Sequence, residues 1–306
     1  MEKNTFKLKP QSTNVRNESV KQKITYLLIT AMWHLVPTMT RRIMTEHIFS
    51  PKRYDLAPGE QKYLEMGEPF RINVHDKAIQ CWKWGSGPGI LFVHGWNGRG
   101  VHFRYFFEEF RNTGYTVIAY DAPAHGESDG QDTSYFELTD VARSFLNPSL
   151  NLDIQGIIAH SLGASAVVNC ISKEKPSINA VLIAPALKLR ELLYNTFGKQ
   201  GLPEIVYQTI IAELEAYYGY NLYEDNPYTL LKKISSKILI VHDKDDLTTP
   251  YMDSKVIAEK LNHVYLLTTE GLGHKNILKD KTVISTIQKF IFDQEINVSD
   301  RQHSQI

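Results

Sequence analysis

Three segments of the chain carry residue types that do chemistry when they are brought together. The first is GIIAHSLGAS, Gly156 to Ser165, where an apolar strand runs into Ala-His-Ser-Leu-Gly and then into a helical pattern. A serine at the tip of a sharp strand-to-helix turn exposes its Oγ, and the following amide, Leu162 N–H, lies at the positive end of a helix. Small residues at Ala159 and Gly163 let the two backbones approach each other. The second segment is KILIVHDKDDLTTP, with Asp243, Asp245 and Asp246 at the end of an apolar run. Three uses compete for these acids: a Mg²⁺ site, one carboxylate that orients a catalytic histidine, or solvated loop charge. The third is TEGLGHKNIL, where His274 follows Gly271 and Gly273 and so belongs to a loop. Alone, such a histidine is polar surface. Downstream of an exposed serine and a post-strand acid, it is a candidate general base.

A fourth segment, LFVHGWNGRG, places a glycine-rich loop directly after an apolar strand. The amide of Trp96 in that loop can pair with that of Leu162 as an oxyanion hole. A phosphate-binding loop is set aside because no Gly-Lys-Ser/Thr follows. Metal readings of the acids also fit poorly. A phosphatase using Asp-x-Asp-x-Thr needs threonine where Leu247 stands, and a calcium loop needs a glycine at its sixth position and a distal glutamate.

The elements that must hold these segments follow from the apolar pattern. FRINV and IQCWKW, with HDKA between them, read as a hairpin. ILFVHG, YTVIAYDA, DIQGIIAHS, INAVLIAP, Lys237–His242 and His263–Thr268 then alternate with helical stretches, the first bearing Phe103, Phe106, Phe107 and Phe110. Such alternation predicts an α/β fold: a mostly parallel central sheet with helices on both faces. Between Pro185 and Ile234 the rhythm breaks. That interval has no strand pattern and is rich in tyrosine (Tyr194, Tyr207, Tyr217, Tyr218, Tyr220, Tyr223 and Tyr228), as expected of a helical insertion whose tyrosines line a pocket or pack its own core.

Composition narrows the function class. The 306 residues carry 34 Lys plus Arg against 34 Asp plus Glu, so no overall field draws the chain to nucleic acid or acidic lipid. Cys81 and Cys170 are too few for a disulfide framework and read as free, buried thiols of a reducing, cytoplasmic compartment. The polar start is expected to be loose until about Lys23. The apolar run Ile24 to Pro37 is too short to span a bilayer and begins too late for a secretory signal. It is expected to form one helix with its apolar side packed on the main domain. The alternative is weak contact with a membrane surface, since Lys21, Lys23, Arg41 and Arg42 flank it.

HGWNGRG, YDAPAHGES, AHSLGAS, HDKDDLTTP and GLGHKNIL, taken together and in this order, resemble the α/β-hydrolase superfamily in its esterase and serine-aminopeptidase-like branch. The resemblance covers about Gly87 to Phe290. It implies residues 1–60 as an N-terminal extension and 61–306 as the hydrolase domain, with a helical cap at about 186–233. It further implies Ser161 as nucleophile, His274 as general base and then acid, and the amides of Trp96 and Leu162 as the oxyanion hole. Relatives of this kind carry the triad acid four residues before a proline. Pro250 therefore marks Asp246, with Asp245 next in line and Asp243 and Asp245 otherwise solvated loop charge. His125 is implied to shape the edge of the site; His160, next to the serine, follows the strand's inward or outward alternation, which leaves contact with substrate open. The implied activity is cleavage of a carboxylic ester or related acyl bond in a small molecule, with no cofactor and no metal. Thioester or peptide cleavage with the same residues, and a non-catalytic binding module on the same fold, are the alternatives.

Overall fold

The computed structural model describes residues 19–174 and 177–293. Eight strands form one sheet: β1 Glu68–Val74, β2 Lys77–Trp84, β3 Gly89–Val93, β4 Thr116–Tyr120, β5 Ile154–His160, β6 Asn179–Ile183, β7 Ile238–Asp243 and β8 Val264–Thr269. Their order is β1-β2-β4-β3-β5-β6-β7-β8. The β1–β2 and β2–β4 pairs are antiparallel and the others parallel. The β1–β2 hairpin is tighter than HDKA suggests. Only His75 and Asp76 turn, both with positive φ, and Lys77 and Ala78 already pair in the ladder. Strands β3, β4 and β7 are buried at every position, as strands covered on both faces must be.

Twelve α-helices accompany the sheet among the described residues: α1 Val20–Leu35, α2 Pro37–Phe49, α3 Gln61–Glu65, α4 Arg104–Arg111, α5 Tyr135–Ser144, α6 Leu162–Glu174, α7 Leu189–Lys199, α8 Glu204–Tyr218, α9 Pro227–Leu230, α10 Tyr251–Lys260, α11 Gly273–Asn276 and α12 Lys281–Ile291. Two apolar clusters sandwich the sheet. In one, Phe106, Phe107 and Phe110 of α4 join Phe103 and Trp84 around Phe92, with Trp84 and Phe107 stacked at 4.2 Å. The other holds α5, α6 and the inward side of α7 and α8. Residues 186–233 contain α7, α8 and α9 and no strand. Several tyrosines of this interval pack inward: Tyr194 meets Tyr207 at 5.0 Å, and Tyr220 stacks on Phe136 at 5.2 Å while donating its hydroxyl to Asp140.

The chain winds outward from β3 in two directions, to β4 on one side and to β5 on the other. Loops leaving the carboxyl ends of β3 and β5 therefore diverge around a crevice, the usual place for a ligand in an open parallel sheet. That switch point puts the Trp96 loop beside Ser161.

Three expectations about the N-terminus need correction. The chain is helical from Val20, before Lys23, because Ser19 and Gln22 form a reciprocal capping box; the residues before Ser19 lie outside those described. Pro37 does not end the helical stretch but opens α2, a position where proline's missing N–H costs nothing. Nor is the apolar side of α1 packed away. Ile29 is buried and Trp33 rests against the core, whereas Val20, Ile24, Leu27, Leu28 and Leu35 are exposed. Beyond α2 the chain reaches the loops of the crevice. Lys52 N–H donates to Asn97 Oδ1 at 2.7 Å, and the Arg53 guanidinium donates to the carbonyls of His125, Gly126, Ser128 and Gly130. Among the described residues no helix is long and apolar enough to cross a membrane.

Candidate active site

Ser161 sits between β5 and α6 with φ at +55°, a left-handed conformation that costs a non-glycine residue on the order of 1–2 kcal/mol. The surrounding structure holds it there: its N–H donates to Ile183 O of β6 at 2.9 Å. The turn is possible because its neighbours are small. A Cβ on Gly163 would stand 2.2 Å from the carbonyl oxygen of His94, and one on Gly95 would stand 2.7 Å from Ser161 Cβ. The same contacts show how closely the loop carrying Trp96 runs past the serine. Leu162 is the first residue of α6, so its N–H belongs to the helix end that has no intrahelical acceptor.

His274 Nε2 lies 3.0 Å from Ser161 Oγ, and His274 Nδ1 lies 2.7 Å from Asp246 Oδ2. Donation of Nδ1–H to the carboxylate leaves the lone pair on Nε2, facing the serine hydroxyl. Asp246 is held in turn. Its Oδ1 accepts from Thr248 N–H at 2.7 Å and Thr249 N–H at 3.0 Å, and its Oδ2 accepts from Thr249 Oγ1 at 2.9 Å. Burial works against its charge, but hydrogen bonds from His242, His274 and the Thr249 amide prevail and hold the carboxyl well below the usual carboxylate range. The structure thus brings Ser161, Asp246 and His274 into one hydrogen-bonded line, with Trp96 and Leu162 on the adjoining backbone.

The sequence alone does not mark His242 as part of the site. It is fully buried, with Nε2 3.3 Å from Asp246 Oδ2 and Nδ1 2.7 Å from Ser254 Oγ. Ser254 Oγ–H donating to Nδ1 leaves Nε2–H on the carboxylate, a second imidazole supporting the same acid. A histidine four residues before the acid at a strand's end was the available signal.

Asp243 and Asp245 are not merely solvated charge. Asp243 is completely buried and accepts from Thr269 Oγ1 at 2.7 Å, Leu272 N–H at 3.0 Å and Asp245 N–H at 3.0 Å. Asp245 is exposed but accepts from Gly271 N–H at 2.9 Å. Lys244 pairs with Glu270. The acid-rich loop therefore ties down the 269–272 segment that leads into His274. Among the described residues no group of three or more His, Cys, Asp or Glu is arranged to hold a metal ion.

For Asp243 burial opposes ionisation, but the Thr269, Leu272, Asp245 and Gly273 hydrogen bonds outweigh it and lower the pKa. A carboxyl whose pKa falls on folding stabilises the fold above its unfolded value of about 3.9, and that stabilisation is lost as pH falls through the folded value. Asp243→Ala should therefore lower stability by about 1–3 kcal/mol at pH 7, leaving the half-buried Leu272 amide and the Asp245 amide without their acceptor. The gap from the parent should narrow as pH is taken from 7 to below the unfolded value of about 3.9. Urea midpoints at the two pH values test this; equal midpoints at pH 7 would contradict it.

Three further imidazoles are structural. Ala122 N–H donates to His94 Nε2 at 2.8 Å, and His94 Nδ1–H donates to Gly95 O at 2.7 Å. Asn97 N–H donates to His125 Nε2 at 3.0 Å, and His125 Nδ1–H donates to Pro123 O at 2.9 Å. Both rings thereby fasten the loops after β3 and β4 to each other, and burial keeps both neutral, His125 with a pKa lowered to about 4. His160 is tied to the segment that carries His274. Its Nε2–H donates to the backbone carbonyl of His274 at 2.9 Å, and burial followed by the nearby His274 lowers its pKa to about 3.

Comparison with known proteins identifies the family and the fold. Residues 90–281 match the model of the alpha/beta hydrolase family. A non-heme chloroperoxidase of Streptomyces lividans is 24% identical over 241 residues, covering 62% of this chain and 87% of that protein. A bifunctional esterase/perhydrolase of Acinetobacter calcoaceticus is likewise 24% identical, over 247 residues, with the same 62% and 87% coverage. Among solved structures, the Pyrococcus furiosus esterase Pf2001 superposes with a TM-score of 0.61 at 20% identity, covering 80% of this chain and 99% of that one. Sheet order, strand-to-helix serine turn and matched span converge: the chain belongs to the alpha/beta hydrolase family.

Proposed function

We propose that the protein is a serine hydrolase that cleaves a carboxylic ester through an acyl-enzyme. The observation that carries this reading is His274, with Nε2 3.0 Å from Ser161 Oγ and Nδ1 2.7 Å from Asp246 Oδ2. Neutral His274 takes the Ser161 proton as Oγ attacks the acyl carbon. The negative charge that develops on the acyl oxygen is met by the amides of Trp96 and Leu162. The imidazolium then protonates the departing alcohol. Water, deprotonated by the same imidazole, attacks the acyl-enzyme and returns Ser161 to its hydroxyl form. Asp246 fixes the tautomer and stabilises the imidazolium without itself taking a proton.

Ester is favoured over amide or thioester by the named activities of relatives, two of which carry the word esterase. The test is hydrolysis of p-nitrophenyl esters of graded chain length, alongside matched thioester and anilide substrates. Turnover should be fastest on the esters, with a burst of p-nitrophenol equal to the enzyme present. Turnover of the anilide alone would replace this reading with a peptidase one. Two relatives named for perhydrolase and chloroperoxidase activity favour a second outcome at the last step. Hydrogen peroxide, in place of water, would attack the same acyl-enzyme and leave as the peracid, with its proton returned to Ser161.

A further inference from the structure

Among the described residues, nothing covers the exposed face of α1. At 100° per residue, Val20, Ile24, Leu27, Leu28, Ala31 and Leu35 fall on one stripe about 100° wide along the helix. Leu27, Leu28 and Leu35 are 66%, 60% and 80% exposed. Val36 and Met39 at the junction with α2 extend the patch. The opposite side of α1 is the one seated on the protein, through Ile29, Trp33 and the Gln22 amide, which donates to Lys199 O at 2.5 Å. A continuous row of exposed leucines on a helix already anchored by its other side marks an interaction surface.

We infer that this stripe docks on an anionic lipid surface, with α1 lying in the plane of the interface. Charge selects that occupant. Lys21 and Lys23 project on opposite sides of the stripe, where their alkyl stems can follow the apolar face while the ammonium groups meet phosphate. The helix carries no acidic residue. The first 23 residues hold six basic side chains (Lys3, Lys7, Lys9, Arg16, Lys21 and Lys23) against Glu2 and Glu18, in a chain whose 34 basic residues are matched overall by 34 acidic ones. Such a concentration of positive charge beside an apolar stripe favours anionic headgroups. A second copy set in parallel is disfavoured because it would bring the lysines of the two first turns together with no acid between them. The residues before Ser19 offer Phe6, Leu8 and Val15 among mostly polar neighbours, too few to cover the stripe. At 16 residues, α1 is about 24 Å long, short of the roughly 30 Å needed to span a bilayer.

The test is co-sedimentation of the full chain with vesicles of phosphatidylcholine alone, or with phosphatidylglycerol at about a third of the lipid. The parent should bind the anionic vesicles, bind pure phosphatidylcholine at least tenfold more weakly, and dissociate as salt rises. Leu27→Glu with Leu28→Glu should reduce binding to the anionic vesicles at least tenfold. Lys21→Glu with Lys23→Glu should lose about tenfold on anionic vesicles only. All three proteins should share one circular dichroism spectrum, because the substituted side chains are exposed. Failure of the parent to bind overturns the inference, as does equal binding by the leucine variant. A parent dimer that the leucine variant splits, without vesicle binding, would assign the stripe to a second copy. None of these readouts depends on ester hydrolysis.

Discussion

Ser161→Ala should lower kcat for ester hydrolysis by about 10⁴- to 10⁶-fold, the loss found when a serine nucleophile is removed and only the oxyanion hole and substrate binding are left. Alanine keeps the Cβ and the left-handed strain at φ +55°, so the fold should be unchanged. A companion substitution separates chemistry from folding. Ser161→Gly should be equally inactive yet more stable by about 1 kcal/mol, because glycine adopts that φ without steric cost. A well-folded Ser161→Ala protein with most of its activity would remove the serine from the mechanism.

The second large effect is at the acid. Asp246→Asn should lower kcat by about 10⁴-fold at neutral pH, because an amide presented to Nδ1 favours the imidazole tautomer whose Nε2 carries the proton. The pair Thr248 N–H and Thr249 N–H can still be accepted by the amide oxygen, so the loop should hold its course. Asp245→Asn should stay within roughly tenfold of the parent, since its contact is a single exposed bond to the Gly271 amide. Should Asp245→Asn be the inactive variant, the histidine takes its orientation from the wrong acid in this account.

Much of this site could be read from local signals. The serine turn is written within ten residues, because the apolar strand, the small residues that admit a close approach, and the helix start are all contiguous. The parallel sheet was legible for a similar reason: strands buried on both faces must be apolar throughout, as β3 and β7 are. What was less legible depended on partners far along the chain. Asp243 reads as one more charged loop residue until Thr269 and Leu272, 26 and 29 positions away, supply its donors. His242 becomes a support for Asp246 only once the 246–249 turn folds the carboxylate back over it. At the N-terminus the capping box in SVKQ was available from Ser19 and Gln22, yet periodicity cannot say what covers a helix face. The apolar pattern of α1 was compatible with packing on the domain, and the fold seats the other side.

The role of the 50–60 segment also emerged only in three dimensions. Nothing in KRYD marks Arg53 as the donor to four carbonyls of the 125–130 loop, or Lys52 as the tie to Asn97 beside the Trp96 amide. These bonds make the stretch after α2 part of the scaffold of the crevice, so a boundary at residue 60 cuts through a supporting contact.

Covalent labelling tests the central claim most directly. The full chain treated with a fluorophosphonate should gain one phosphonyl group, with fluoride leaving as Ser161 Oγ bonds to phosphorus, and peptide mass mapping should place that group on Ser161. Labelling should be absent from Ser161→Ala and slowed at least a hundredfold in Asp246→Asn, because the reagent needs the same activated hydroxyl as the ester. A parent protein that takes up no label, or carries it on a residue other than Ser161, would contradict the account.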